Sequence, residues 1–265
     1  MKKQEYKTEF DIISSAVKTA YSDLFSFDNM RFQDKSRFDI VTSNDYRIEE
    51  YIIKTINQHF PDDRILSEET NSTTAVKGRT WTIDPIDGTF NMSRQSPMFG
   101  IQCALYQNDN IVFSLVFLPV FNELNYAEKD CGAYLNGVKI NVANNDLEHS
   151  AVSFGDFPHK RINDFKDEHI LMEELSKHIA KIRMFGAACI DFVYLASGKT
   201  DGTIIFTKNK WDIAPGILIA REAGAFVHSF DGEYTPDSRA VIAVGTEELY
   251  QCIIDCANKK SADNH

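Results

Sequence analysis

Apolar side chains recur at helical spacing in the first quarter of the chain. The pattern runs from Ile12 to Leu24 and again from Ile48 to Ile56, and it predicts two amphipathic helices. Hydroxyl, amide and carboxylate side chains at 42–45 are typical of a helix cap, so the second helix is predicted to begin there. The segment 25–44 is mixed and polar and is predicted to be a loop, with Lys35 in its middle.

Shorter apolar stretches after the second helix predict β-strands. Ile65 and Leu66 predict one short strand, and the alternation of Trp81 and Ile83 with threonines predicts another. The latter is predicted to stop at Asp84–Pro85, because proline cannot donate the next hydrogen bond of a ladder. Three further strands are predicted at 99–106, 111–118 and 122–128.

A polar segment at 141–149 is predicted to join two halves of the chain, and strands and helices alternate after it. The predicted strands lie at 152–154, 182–185, 202–206, 225–229 and 240–244, and the predicted helices at 167–180, 188–197, 213–223 and 246–258. We therefore expect a single unit over residues 1–265, with an N-terminal half of 1–143 and a C-terminal half of 144–265.

Composition and charge narrow the class of protein. The chain has 265 residues, 43% of them hydrophobic and 25% charged, which is typical of a globular protein that buries a core. Its net charge of −11 argues against a nucleic-acid partner, which would need a basic surface. The five cysteines lack metal-ligand spacing, so we predict reduced thiols and a cytoplasmic location. Neither a secretory signal pattern nor a membrane-spanning apolar run is recognisable, so no membrane association is expected.

Oxygen donors crowd the end of the strand that contains Trp81. They follow one another around an Asp-Gly turn: Asp84, the Ile86 carbonyl, Asp87 and the Thr89 hydroxyl. Such a cluster suits a hard cation such as Mg²⁺. Three further acids lie near predicted element ends: Asp45, Glu68 and Asp212. Each acid taken alone could also be a turn residue, a helix cap or a solvated loop charge, and spacing leaves these alternatives open.

Several segments resemble motifs of the inositol monophosphatase family, in the same order along the chain. Asp84–Thr89 (DPIDGT) matches one family signature, and Lys210–Gly216 (KWDIAPG) resembles the second, WDxAxG. Ile65–Glu69 resembles the GEE motif, and Val41–Asp45 resembles the (L/V)VTxxD segment. The resemblance implies an α/β (α+β layered) fold, arranged as an αβαβα sandwich in one catalytic unit. It also implies Mg²⁺-dependent hydrolysis of phosphate monoesters.

The same resemblance implies roles for individual residues. Two or three Mg²⁺ ions would be held by Glu68, Asp84, the Ile86 carbonyl, Asp87 and Asp212, with Asp84 bridging two of them. Asp45, Thr89 and Glu68 would be the catalytic residues, the first two orienting the attacking water, and Lys35 would lie on a mobile loop. Met184–Asp191 resembles the family's GSAAxD segment. The substrate-binding residues would be Asp87, Gly88, Thr89, Gly186, Ala187, Ala188, Ile205 and Asp212.

One departure from the family pattern bears on the substrate. Ile205 stands seven positions before Asp212, where family members that act on inositol phosphates commonly have glutamate. Isoleucine cannot accept a hydrogen bond from a ring hydroxyl, and the missing bond is worth about 1–3 kcal/mol. We therefore expect hydrolysis of inositol 1-phosphate with relaxed specificity.

Other functions remain open on the sequence. Sister branches of the family act on the 2′-phosphate of NADP, on fructose 1,6-bisphosphate or on 3′-phosphoadenosine nucleotides. A non-catalytic interaction protein on the same fold is a further alternative. The resemblance also implies inhibition by Li⁺ and a homodimer.

Overall fold

Helices and sheets alternate in the structure, a computed structural model that describes residues 5–28, 30–37, 39–156, 165–236, 238 and 240–259. The helices are α1 (Lys7–Thr19), α2 (Ser43–His59), α3 (Thr89–Ser93), α4 (Phe165–Leu175), α5 (Ala188–Ala196), α6 (Lys210–Glu222) and α7 (Glu247–Lys259). A π-helical turn at Ala20–Leu24 continues α1, and a 3₁₀ turn lies at Leu147–His149.

The strands form a hairpin and two larger sheets. The hairpin is β1 (Phe32–Ser36) with β2 (Asp39–Thr42). The seven-stranded sheet contains, in spatial order, β3 (Arg64–Ser67), β4 (Arg79–Asp87), β5 (Gly100–Gln107), β6 (Asn110–Leu118), β7 (Glu123–Glu128), β8 (Gly132–Leu135) and β9 (Val138–Ile140). The remaining strands are β10 (Ala151–Phe154), β11 (Lys181–Arg183), β12 (Gly202–Ile205), β13 (Phe226–Ser229), β14 (Gly232–Glu233) and β15 (Val241–Val244), in the order β11-β10-β12-β15-β13-β14.

Each larger sheet is mixed. In the seven-stranded sheet β3 and β4 are parallel, and every later neighbour is antiparallel. In the six-stranded sheet β10 runs parallel to both β11 and β12, whereas β15 and β13 run antiparallel to their neighbours. The carboxyl ends of the neighbouring strands β10 and β12 therefore lie side by side at the same end of the six-stranded sheet.

Apolar faces hold the layers together. Ile13 of α1 and Ile52 of α2 pack in one buried cluster with Trp81 and Ile83 of the seven-stranded sheet. Helices α5 and α6 fill the space between the two sheets, and α4 and α7 cover the outer face of the six-stranded sheet. The order of layers is helix, sheet, helix, sheet, helix, which confirms the predicted fold class.

The middle layer is unusually tight where its two helices cross. A methyl group added at Gly216 of α6 would lie only 2.2 Å from the ring of Phe192 on α5, so only glycine fits there. Phe192 is itself fully buried. The distance between the two helices is therefore set by contact between backbone and ring.

Three predictions about elements were wrong. The loop predicted at 25–44 contains the hairpin β1–β2, whose first strand is exposed throughout and has no apolar pattern to reveal it. The strand predicted to stop at Asp84–Pro85 continues to Asp87, because a shift of register absorbs the proline. Helix α6 begins at Lys210 with Asn209 as its N-cap, so Asp212 lies within the first turn and is not the cap.

Other predictions hold in the structure with adjusted ends. Thr42 caps α2 as expected, because its hydroxyl accepts a hydrogen bond from the Asn44 N–H (3.1 Å) and Asp45 accepts one from the Thr42 N–H (2.9 Å). Helix α4 ends at Leu175, earlier than the predicted 180. Within the described residues, no helix is long and apolar enough to cross a membrane.

Candidate active site

A β-bulge turns two carboxylates to the same face of the first sheet. Asp84 pairs with Gln102 and Asp87 with Gly100, so two residues of β4 lie opposite one residue of β5. Side chains three positions apart on a regular strand point to opposite faces. The extra residue of the bulge shifts the alternation of side chains by one position. Asp84 and Asp87 therefore point to the same face of the sheet. Pro85, which cannot donate to the ladder, lies inside the bulge.

Neighbouring elements add two more acids. Glu68 follows β3, and its N–H donates to the Ile83 carbonyl of the parallel strand β4 (3.2 Å), which places Glu68 beside Asp84. Asp212 comes from the first turn of α6 in the middle layer. All four carboxylates line one open cavity of about 300 Å³.

The cavity gathers most of the predicted site residues. Those that line it are Glu68, Asp84, Ile86, Asp87, Gly88, Thr89, Gly186, Ala187, Ala188, Ile205 and Asp212. Other lining residues, which the sequence did not single out, include Asp39, Ile40, Phe90, Gly155, Asp156, Phe206, Thr207 and Asn209. Asp45 lies behind this lining, fully buried in α2.

Gln102 links three of the acidic elements. This buried side chain of β5 places its amide nitrogen 3.3 Å from Asp84 Oδ2, 3.3 Å from Asp87 Oδ2 and 3.2 Å from the Asp212 carbonyl oxygen. An amide donor between carboxylates offsets part of their repulsion in the metal-free protein. Sequence reasoning missed Gln102. A polar residue among the consecutive apolar residues 101 and 103–106 was the signal that could have found it.

The Asp87 and Asp212 carboxylates accept hydrogen bonds from groups at or just before the N-termini of α5 and α6. Asp87 Oδ2 accepts a hydrogen bond from the Cys189 N–H in the first turn of α5, where the helix dipole favours a negative charge. Asp212 Oδ2 accepts hydrogen bonds from the Thr207 hydroxyl (2.9 Å) and the Asn209 amide (3.1 Å). The N–H group of Cys189 at the start of α5 is therefore already bound to a carboxylate of the protein, that of Asp87.

Thr89 and Asp45 lie within hydrogen-bond distance of each other. The Thr89 hydroxyl lies 3.0 Å from Asp45 Oδ1 and 2.8 Å from the Ile86 carbonyl oxygen. Gly88, the residue before it, is the N-cap of α3 and has a φ of 89°, and a methyl group there would lie 2.8 Å from the Met98 carbonyl oxygen. Glycine is therefore required for the turn that presents Thr89.

Lys35 reaches the acids from the β1–β2 hairpin. Its ammonium group lies 2.7 Å from Glu68 Oε1 and 2.6 Å from Glu69 Oε1. The loop after β3 is fixed by the fully buried Glu49 of α2. Glu49 accepts hydrogen bonds from the Glu69 N–H (2.8 Å) and from the Thr70 hydroxyl. Glu49 was also missed, since an acid on a helix gives no sign in sequence of which loop it reaches.

Electrostatics disfavour full ionisation of this site. Burial, followed by the charge of Glu68, raises the pKa of Asp84 well above its usual range. Burial also raises the pKa of Asp87, to about 6, although the hydrogen bond from the Cys189 N–H opposes the shift. The pKa of Asp212 is raised well above normal by burial and by Asp87. A cation in the cavity would relieve this repulsion.

The donor chemistry of the site fits a hard cation. The available ligands are carboxylate and carbonyl oxygens, which are the ligands that Mg²⁺ prefers. Within the described ranges, no three acidic, histidine or cysteine side chains already converge closely enough to form a ready-made ion site. The carboxylate oxygens are instead hydrogen-bonded to donors of the protein, among them Lys35 and Gln102.

Comparison with known proteins assigns the family. A family model described as the inositol monophosphatase family matches residues 1–262. The chain belongs to the inositol monophosphatase family. This confirms the resemblance carried by the DPIDGT and WDIAPG segments, and it indicates a phosphatase.

Relatives in the family have different names. A fructose-1,6-bisphosphatase/inositol-1-monophosphatase of Thermotoga maritima is 37% identical over 197 residues, which cover 74% of this chain and 73% of the relative. The Nus factor SuhB of Pasteurella multocida is 34% identical and covers 78% of each chain. Among solved structures, an inositol monophosphatase of Thermotoga maritima superposes with a TM-score of 0.82 at 29% identity, covering 97% of this chain and 99% of that one.

Proposed function

We propose that this chain is a Mg²⁺-dependent phosphomonoesterase that hydrolyses inositol 1-phosphate with relaxed specificity. The observation that supports the proposal most strongly is the bulge in β4, which turns Asp84 and Asp87 to one face beside Glu68. Asp212 lines the same cavity from the middle helical layer. Burial and neighbouring carboxylates raise the pKa of three of these acids, so four free charges are disfavoured in the cavity, and a bound cation would relieve their repulsion.

The carboxylates and one carbonyl would hold two or three Mg²⁺ ions: Glu68, Asp84, the Ile86 carbonyl, Asp87 and Asp212. When bound, Mg²⁺ would neutralise the phosphate and lower the pKa of an attacking water. Lys35 pairs with Glu68, so that ion pair would have to open or rearrange for Glu68 to bind Mg²⁺. The hairpin that carries Lys35 is exposed along β1, which forms a two-stranded sheet with β2.

Thr89 and Asp45 would orient the attacking water. A hydroxyl that donates its hydrogen to the buried Asp45 keeps its lone pairs available to accept a hydrogen bond from that water. The Ile86 carbonyl competes for the same hydrogen at 2.8 Å. If the Ile86 carbonyl held a Mg²⁺ ion instead, Asp45 would be the remaining acceptor for the Thr89 hydroxyl hydrogen. The N–H groups of Gly88 and Thr89 would contact phosphate oxygens.

The proposal is tested by a phosphate-release screen with purified protein. Inositol 1-phosphate, NADP, fructose 1,6-bisphosphate and 3′-phosphoadenosine 5′-phosphate are each incubated with Mg²⁺ or with a chelator. We expect release with Mg²⁺, fastest from inositol 1-phosphate, and none in chelator. Full activity in chelator, or no release from any substrate, would refute the proposed mechanism.

A second candidate function is suggested by the relatives named Nus factor SuhB, one of which, from Pasteurella multocida, is 34% identical to this chain. Such a protein would act through a partner, as the interaction-protein alternative requires. The same screen separates the two functions, since an interaction protein need not release phosphate. The family resemblance also predicts a homodimer, which light scattering would report as a mass of about twice 30.1 kDa.

A further inference from the structure

The wall of the cavity around Ile205 is built from the ends of two parallel strands. Phe154 of β10 is in register with Ile204 of β12. The pairing continues one residue further, because the Gly155 N–H donates to the Ile204 carbonyl oxygen (2.9 Å). The next residue of the β10 segment, Asp156, and Phe206 of the neighbouring segment then both line the cavity.

Gly155 lets these two segments lie close together. A methyl group added at Gly155 would lie 3.1 Å from the Ile205 side chain, so the two positions are in direct contact. Ile205 is 98% buried in this wall, since its exposure is 2%, and it offers no hydrogen-bonding atom. Asp156, one residue beyond Gly155, is exposed to the cavity. Ile205 of β12 thus gives the cavity an apolar wall, and Asp156 in the neighbouring segment places a carboxylate next to it.

The Asp156 carboxylate is available to a ligand. Among the residues that the structure describes, none donates a hydrogen bond to it or forms an ion pair with it. A free carboxylate adds negative charge to an acidic cavity and so disfavours an anionic phosphate ester. That cost is offset only for a ligand that brings a hydrogen-bond donor to this position, because a hydrogen bond to a charged acceptor is stronger than one to a neutral acceptor.

We propose that Asp156 is a specificity-determining residue that accepts a hydrogen bond from a hydroxyl group of the substrate's leaving group. Ile205 and Phe206 would cover the C–H face of the same group, so the site would select phosphate esters of hydroxylated rings, such as polyols and sugars. This inference rests on the proposed phosphatase function. It locates the acceptor for a ring hydroxyl just beyond the end of β10, because Ile205 of β12 cannot provide one.

The test compares kcat/KM for inositol 1-phosphate with that for p-nitrophenyl phosphate, whose ring has no hydroxyl group. Asp156→Ala should lower the ratio of the two values about tenfold to hundredfold, the worth of one hydrogen bond to a carboxylate, chiefly through KM for inositol 1-phosphate. Hydrolysis of p-nitrophenyl phosphate should stay equal or rise, because a repelling charge is removed. Asp156→Asn, which keeps an acceptor oxygen, should recover part of the ratio.

Asp39→Ala is the matched control, because Asp39 is an exposed acid that lines the same cavity from the hairpin. It should leave the ratio unchanged. An unchanged ratio in Asp156→Ala, an equal loss for both substrates, or an equal effect of Asp39→Ala would overturn the inference while the phosphatase function stands. Wild-type protein that releases phosphate from neither substrate would overturn both. Melting temperatures confirm folding, and an exposed position should change them little.

Discussion

Replacing Asp87 by asparagine should stabilise the metal-free protein at neutral pH. In the folded chain, burial raises the pKa of Asp87 to about 6, whereas an unfolded aspartate titrates near 4. When folding raises the pKa of a carboxyl group, the folded protein loses stability as the pH rises from the pKa in the unfolded chain to the pKa in the folded one. Asparagine does not titrate, so the variant escapes this loss.

The size of the effect follows from the shift. Two pKa units correspond to about 3 kcal/mol, which is an upper value because Asp87 keeps some contact with solvent. For a chain of this length, 1 kcal/mol moves the melting temperature by about 2–4 °C. We therefore expect Asp87→Asn to melt up to about 6–12 °C higher than wild type at pH 7.5 in chelator.

Thermal unfolding from pH 4 to pH 8 in chelator checks this expectation. The difference between variant and wild type should be small at pH 4, grow between pH 4 and 6, and then level off. Asp156→Asn, which removes an exposed acid of the same cavity, is the matched control. Added Mg²⁺ should narrow the gap, because only the wild type has the full set of carboxylates. A variant that is less stable at pH 7.5, or a difference independent of pH, would refute the electrostatic reasoning.

Three further predictions concern activity. Asp84→Asn should lose several orders of magnitude in kcat/KM while circular dichroism stays native, because the change relieves repulsion but removes the proposed bridging ligand; a near-normal rate would rule that ligand out. Thr89→Ala should lower kcat far more than the apparent affinity for Mg²⁺ in a metal titration, and the reverse pattern would remove its water-orienting role. Ile205→Glu should raise kcat/KM for inositol 1-phosphate relative to NADP by about tenfold to a hundredfold; a wild-type preference already above about a thousandfold would assign specificity elsewhere.

Local pattern predicted the elements that bury an apolar face. Helix α2 and the strands β5 and β6 could be found because their periodicity reflects contact with the core. The hairpin β1–β2 could not, because its first strand is exposed throughout and has only polar residues after Phe32. Proline 85 indicated an interruption in β4, but its outcome depended on β5: the partner strand continues past it, so the interruption became a bulge.

The acids of the site could be named from motifs, whereas the groups that hold them could not. Asp84 and Asp212 stand in recognisable segments, and both line the cavity. Gln102 and Glu49 act through contacts 18 and 20 residues away in sequence, and nothing local to a strand or helix specifies such a partner. The roles of the acids as metal ligands stay predictions that the activity measurements decide.

The close packing of Gly216 against Phe192 has a consequence for ion affinity. Asp212 lies at the start of the helix that contains Gly216, and Asp87 is held by the start of the helix that contains Phe192. The gap between these two oxygen donors therefore depends in part on a hydrocarbon contact in the interior. Cation size selectivity would thus depend on the steric fit between two apolar surfaces, at a position where only glycine can be accommodated.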